Sequence, residues 1–330
     1  MMSQKTKILM VIAALVAVAL VVPQSGSFVI LLVTRALAFA ILAMSVDLLL
    51  GYTGMSSMGQ AAYFGVGAYL TAVLATKFHF GMGWDFWLVV VMGILLGAAL
   101  AALFGLFAIR AGGVYFLMIT LALGQCVWGL AYRWNSLTGG DNGINVPKRP
   151  APFGFSMTSP TTFYYVTFTV FLLSVIAMAI FVRSPFGAAL RGTRDQPRRM
   201  NALGYHVWLI RFYACLFSGL LTAVSGILFV YYTQFISPQT LALTSSAEVL
   251  LMVIAGGPGT LLGPIVGAAL VVIVKTVVSG FIERWNFLLG AIFVAIVILM
   301  PDGLVPGTTR LWKRAFRKST PAPAKTEAAP

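Results

Sequence analysis

Charge is what this sequence has least of. Only 9% of its 330 residues are Asp, Glu, Lys or Arg, against about 25% in an average soluble domain. A large soluble core is therefore excluded. Histidine is almost absent too: His79 and His206 lie far apart, with no metal-ligand spacing around either, so no metal centre and no catalytic base is indicated. Two cysteines, Cys126 and Cys215, fall in different apolar runs and read as free buried thiols, not as a disulfide framework. No G-x-x-x-x-G-K-[ST] occurs, so the chain does not itself hold ATP in a P-loop. No catalytic residue and no cofactor is expected.

What the sequence has instead is length in its apolar runs. Hydrophobic residues make up 60% of it and the mean hydropathy is +0.95. About 20 apolar residues cross a bilayer core. Runs at 8–22, 28–50, 61–76, 86–109, 114–132, 163–182, 210–232, 247–255, 261–278 and 285–300 predict an all-α membrane protein, a polytopic helical bundle of about ten transmembrane segments, some short or broken. The first run is a signal peptide or a retained helix; no clean A-x-A site follows it, which favours a retained helix.

The net charge of +14 sits in loops and tail, so the positive-inside rule accounts for it without nucleic acid. Lys5 and Lys7 place the N-terminus in the cytoplasm. Arg183, Arg191, Arg194, Arg198 and Arg199 place the loop at 183–208 there, and Arg310, Lys313, Arg314, Arg317 and Lys318 do the same for the C-terminus. The loop at 135–160 then lies outside. The division is a membrane domain at 1–303 and a basic tail at 304–330, low in complexity from Ser319 on and expected to be disordered.

Three places carry polar residues where the pattern is otherwise apolar. The basic loop predicts a short helix capped by Asp195, with Pro197 in its first turn, Gly204 at its stop, and Met200 and Leu203 on one face. It is either a docking element for a soluble partner or a solvated connector. Asp47 and Glu248 lie in apolar runs, where a charge costs about 2.5 to 3.5 kcal/mol at a helix centre. They line a path, or they are structural, Asp47 then meeting a cation such as Arg35 or lying near the water boundary at its helix end. The third place is a pair of glycine-rich breaks, at 51–59 with Ser56 in it and Gln60 beside it, and at 256–259 with Gly257. These line a wet path or make tight turns at the membrane face. Ser45-Val-Asp-Leu-Leu-Leu50 also echoes Ser246-Ala-Glu-Val-Leu-Leu251, a pointer to two related halves.

Four stretches together resemble a known family. They are Gly51-Tyr-Thr-Gly-Met-Ser-Ser-Met-Gly-Gln60, Thr138-Gly-Gly-Asp-Asn-Gly-Ile144, Ser184-Pro-Phe-Gly-Ala-Ala-Leu-Arg191 running on to Asn201-Ala-Leu-Gly204, and Gly256-Gly-Pro-Gly-Thr-Leu-Leu-Gly-Pro264. In this order they resemble ABC-importer permeases of the branched-chain amino-acid type (LivM-type), over about residues 35–303. The run Asp195-Gln-Pro-Arg-Arg199 departs from many relatives, which carry more acids there. The resemblance implies a subunit of the bacterial inner membrane that moves branched-chain or other hydrophobic amino acids. Its partners would be a second permease subunit, two ATP-binding subunits and a periplasmic solute-binding protein. It also implies that Arg191, Arg194, Asp195, Met200, Leu203 and Gly204 seat on the ATPase. Urea, amides or aromatic acids are alternative cargoes. An ion-coupled secondary transporter using Asp47 and Glu248 is the alternative class.

Overall fold

The computed structural model describes residues 19–78, 85–146, 149, 157–278 and 280, and the scattered positions 287, 290, 291, 293–295, 298, 300 and 303–307. Helix α1, Ser27–Asp47, passes into a wide π-helical turn at Leu48–Tyr52. Then come α2 Gln60–Lys77, α3 Asp85–Ala108, α4 Val114–Arg133 and α5 Pro160–Arg183. Two short helices follow, α6 Pro185–Asp195 and α7 Pro197–Ala202, and then α8 Val207–Thr233, α9 Leu243–Gly256 and α10 Gly263–Val278.

Among the described residues, five helices are long and apolar enough to cross a membrane: Ser27–Tyr52, Asp85–Ala108, Val114–Arg133, Pro160–Arg183 and Val207–Thr233. That is fewer than the ten apolar runs suggest. The glycine breaks shorten α9 and α10, and α2 starts only after the first break. The run at 8–22 lies almost wholly outside the described residues, and that at 285–300 does so in large part.

Helices α1 and α8 form the centre. α8 packs against α1, α2 and α3, and α1 packs against α5, α8 and α10. α3, α4 and α5 turn Leu95, Leu106, Met118, Leu173 and Ile180 outward. Such apolar outer faces suit lipid, not water. The inner contacts depend on small residues, as membrane helices do. A Cβ at Gly226 of α8 would collide with the Phe64 carbonyl of α2, and one at Gly219 with Ala101 of α3.

A buried polar seam joins α1, α2 and α8. Gln60 donates to Ser218 Oγ at 3.0 Å and accepts from Thr222 Oγ1 at 2.8 Å. Ser218 donates to the Ser45 carbonyl at 2.8 Å, and the Ser45 and Thr222 hydroxyls lie 2.7 Å apart. Gln60 is only 1% exposed, so these bonds have no water to replace them. Gln60→Leu removes two interhelical hydrogen bonds, each contributing roughly 0.6 to 1.7 kcal/mol between membrane helices. The expected outcome is a lower unfolding temperature for the purified protein in detergent.

The end of the bundle opposite the basic loop is latched. Strands β1 Ile144–Asn145 and β2 Phe235–Ile236 pair antiparallel, Ile144 facing Ile236. The Thr138 to Ile144 motif is the turn that delivers β1: Thr138 Oγ1 donates to the Ala131 carbonyl at 2.6 Å, and Gly139, Gly140 and Gly143 all take positive φ. Arg149 Nε donates to the Tyr231 carbonyl at 3.0 Å, with its guanidinium 4.7 Å from the Phe163 ring. Lys77 at the end of α2 reaches the Ser136 carbonyl.

Candidate functional site

The basic loop is a pair of helices, not one. α6 begins at Pro185 and is capped by Ser184, whose Oγ accepts from Gly187 N at 3.3 Å. Asp195, expected to cap the second helix, instead ends the first and accepts from Arg194 Nε at 3.0 Å. The reason is local: α6 carries on through Asp195, and Gln196, at φ −148° and ψ 81°, takes the cap position without a side-chain bond. Pro197 starts α7 as expected, and Gly204 stops the segment at φ +86°. Met200 and Leu203 do not share a free face. Met200 is half-buried with its sulfur packed under Gly192 of α6, whereas Leu203 is 72% exposed beside exposed Tyr205.

This helix pair is bonded to both glycine breaks. Arg194 Nη1 donates to the Gly51 carbonyl at 2.6 Å, in the π-turn that ends α1. Four residues earlier Asp47, 1% exposed, accepts from Gly259 N at 2.7 Å, in the break between α9 and α10. Gly51 and Gly259 touch so closely that a Cβ on Gly51 would collide with the Gly259 backbone and the Asp47 carboxylate. Gly54, at φ +70°, leaves room for the Arg194 side chain. Arg191 Nη1 donates to the Val182 carbonyl at 3.2 Å, fixing α6 on the end of α5. Gly257 ends α9 at φ +110°. Both breaks thus lie at the basic-loop end and make tight turns there.

The pairing of Asp47 with Arg35 is not found. The two are twelve residues apart on one helix, about 18 Å along its axis. Arg35 points instead into a cavity of about 180 Å³ lined by Phe39, Leu42, Phe64, Phe229, Glu248 and Lys275 among others. Glu248 of α9 accepts from Lys275 Nζ of α10 at 2.6 Å, and both side chains are largely enclosed. Lys275 went unnoticed in the sequence, although a lone cation in an apolar run opposite a lone acid is a usable signal. Glu248 is therefore the sequence candidate that does line a cavity. Gln60 belongs to the buried seam, Ser56 is half-buried in the irregular part of the first break, and Asp47 and Gly257 belong to the breaks.

Glu248→Gln keeps the shape but removes the carboxylate charge that Lys275 meets. It is expected to lower transport in a chain that still assembles. If the pair only ties α9 to α10, the exchange Glu248→Lys/Lys275→Glu restores uptake; if the cavity needs its charges where they stand, it does not. Uptake and complex yield, measured together, separate the two.

The chain's similarity to known proteins agrees with this architecture. Residues 28–297 match the family model described as "Branched-chain amino acid transport system / permease component". The high-affinity branched-chain amino acid transport system permease protein LivM of Salmonella typhimurium is 28% identical over 298 residues, which cover 83% of this chain and 69% of that protein. A probable LivM of Methanocaldococcus jannaschii is 23% identical over 314 residues, covering 81% and 90%. The autoinducer 2 import system permease protein LsrC of Yersinia enterocolitica is 26% identical over 286 residues, covering 83% and 72%. No solved structure matches the chain significantly. Because the family match takes in the helices from α1 to α10, the two breaks and the basic helix pair, this chain belongs to the family of branched-chain amino acid transport system permease components.

Proposed function

We propose that the chain is the membrane-spanning subunit of an ATP-driven importer of the bacterial inner membrane, moving branched-chain or other hydrophobic amino acids. ATP hydrolysis falls to two separate ATP-binding subunits, and cargo arrives on a periplasmic solute-binding protein. A second permease subunit completes the membrane part. Both termini and the α6–α7 pair lie in the cytoplasm, and the latched end faces the periplasm.

The observation that carries this reading is the bonded chain from Arg194 to Gly51, and from Asp47 to Gly259. A push or pull on α6 reaches α1, α9 and α10 through rigid backbone, and those three helices wall the cavity that holds Arg35, Glu248 and Lys275. Coupling of this kind requires a packed element that both sites bias. Alternating access then follows from ATP-driven movement of the α6–α7 pair, which tilts the breaks and opens the cavity to one side or the other.

An ion-coupled mechanism finds less support. Glu248 is engaged by an ammonium, and Asp47 sits in the contact between the two breaks with its Oδ1 bonded to Gly259 N, away from the cavity lining, so the two acids do not converge on one ion site. The name of the LsrC relative shows that permeases similar to this chain take part in importing something other than amino acids, and cargo identity here rests on the LivM relatives. The test is uptake by the purified complex in proteoliposomes. ATP on the side of the basic loop should drive it and an ionophore should not stop it. Uptake that collapses with the ionophore and ignores ATP would overturn the reading.

A further inference from the structure

We propose that the cavity between α1, α2, α8, α9 and α10 binds a small carboxylate with an apolar body, held through Arg35; this rests on the translocation reading above and names what the path recognises. The size comes first. At about 180 Å³ the chamber has room for about six waters at roughly 30 Å³ each, and slightly exceeds the roughly 150 Å³ cavities that hold benzene. A body of that size fits.

The charges decide the headgroup. Arg35, Lys275 and Glu248 are the charged residues of the lining. Lys275 bonds Glu248 at 2.6 Å, so the acid already has its cation. Arg35 has no ion pair among the described residues, and its Nε is enclosed without a hydrogen-bond partner. Its guanidinium stands 5.8 Å from the Phe39 ring. A planar guanidinium with free donors matches a carboxylate in two-point fashion. An uncompensated cation inside a membrane protein is expected to face a path and its ligand.

The remaining wall is mostly apolar, with Thr240 and Ser245 as its two hydroxyl residues. Phe39, Phe64 and Phe229 form a cluster with ring centroids 5.2 to 6.2 Å apart, and Leu42 and Val249 extend it. The ligand therefore needs its carboxylate and its apolar body. It does not need an amino group, because no unpaired acid among the described residues lines the cavity to receive one. An amine without a carboxylate meets an excess of positive charge.

The test uses the complex purified through this chain, without the binding protein, and radiolabelled isocaproate, the carboxylate that leucine would be without its amino group. Unlabelled leucine and isocaproate should displace the label, and isoamylamine, which keeps the body and loses the carboxylate, should not. Arg35→Gln should weaken binding by at least about tenfold, with Arg35→Lys intermediate. Phe64→Trp should block binding by filling the chamber with the charges intact, and it keeps the proposal falsifiable if Arg35→Gln does not assemble. Displacement by isoamylamine as strong as by isocaproate, or parent-like binding in Arg35→Gln or in Phe64→Trp, would overturn it. The outcome is separate from the importer reading. Arg35-dependent binding in a complex with no ATP-driven uptake would keep the site and remove the transport class; ATP-driven uptake with no such binding would do the reverse.

Discussion

Gly51→Val is expected to bring uptake to background in a chain that still inserts in the membrane. Three atoms compete for the space a side chain would take there: the Gly259 nitrogen, the Gly259 Cα and Asp47 Oδ1. Two of them are backbone, so no rotamer change relieves the clash. The α9–α10 turn must move away, and the bond from Gly259 N to Asp47 breaks. Asp47 is then a buried carboxylate with neither oxygen bonded, since Oδ2 already has no partner among the described residues. Leaving a buried polar group unsatisfied costs about 1 to 3 kcal/mol, more when it is charged. Asp47→Asn should be milder, because its amide oxygen can still accept from Gly259. The measurement is uptake normalised to inserted protein, and Gly112→Val is the control, since nothing lies within 4 Å of a Cβ there. Parent-level uptake in Gly51→Val would show that the two breaks need not touch for transport.

Leu203→Asp is expected to release the ATP-binding subunits on purification, with insertion and fold unchanged. Leu203 is 72% exposed at the end of α7, next to Tyr205 at 50% and the exposed Arg198 and Arg199. Burying one leucine in a partner's groove contributes about 1.5 to 3 kcal/mol. Losing that much weakens association by roughly ten- to a hundredfold, at 1.4 kcal/mol per decade. A charge placed in the groove adds to the loss. Met200→Asp is a different experiment. Its sulfur packs against Gly192, so an acid there separates α7 from α6 and disorders the pair itself. Gly204→Val strains a left-handed stop at φ +86° without touching Leu203, and its effect should lie between the parent and Leu203→Asp. Copurification yield of the ATPase across these three variants and the parent gives the order. Equal retention in all four would make the helix pair a connector.

Much of this was open to reading in the chain itself. Long apolar runs fixed the class, because little but a membrane accommodates residues 86–109 and 163–182 with so few charges. Glycine-rich breaks at 51–59 and 256–259 were visible because nothing else interrupts those runs. Their contact with each other was not, since 212 residues separate Asp47 from Gly259 and only the fold brings them together. Within the basic loop, Ser184-Pro185 was as good a cap signal as Asp195, and the helix starting there used up Asp195 as its last residue. Helical spacing put Met200 and Leu203 on one side but could not say that α6 lies against part of it. Glu248 was found by the rule that a buried charge needs company; applied to residue 275, the same rule would have supplied its partner.

The central claim is that the α6–α7 pair seats on an ATP-binding subunit and moves with it. The most direct measurement is a cross-link from that pair. Leu203→Cys, in a chain carrying Cys126→Ser and Cys215→Ala, is treated with a short thiol-to-amine reagent in the purified complex, with and without ATP and vanadate. The account predicts a cross-linked product containing this chain and the ATP-binding subunit, with a yield that changes between the two conditions. The same reagent on Asp141→Cys, at the opposite end of the bundle, should give none. A complex that transports with ATP but yields no product from position 203, or gives equal product from position 141, would contradict it.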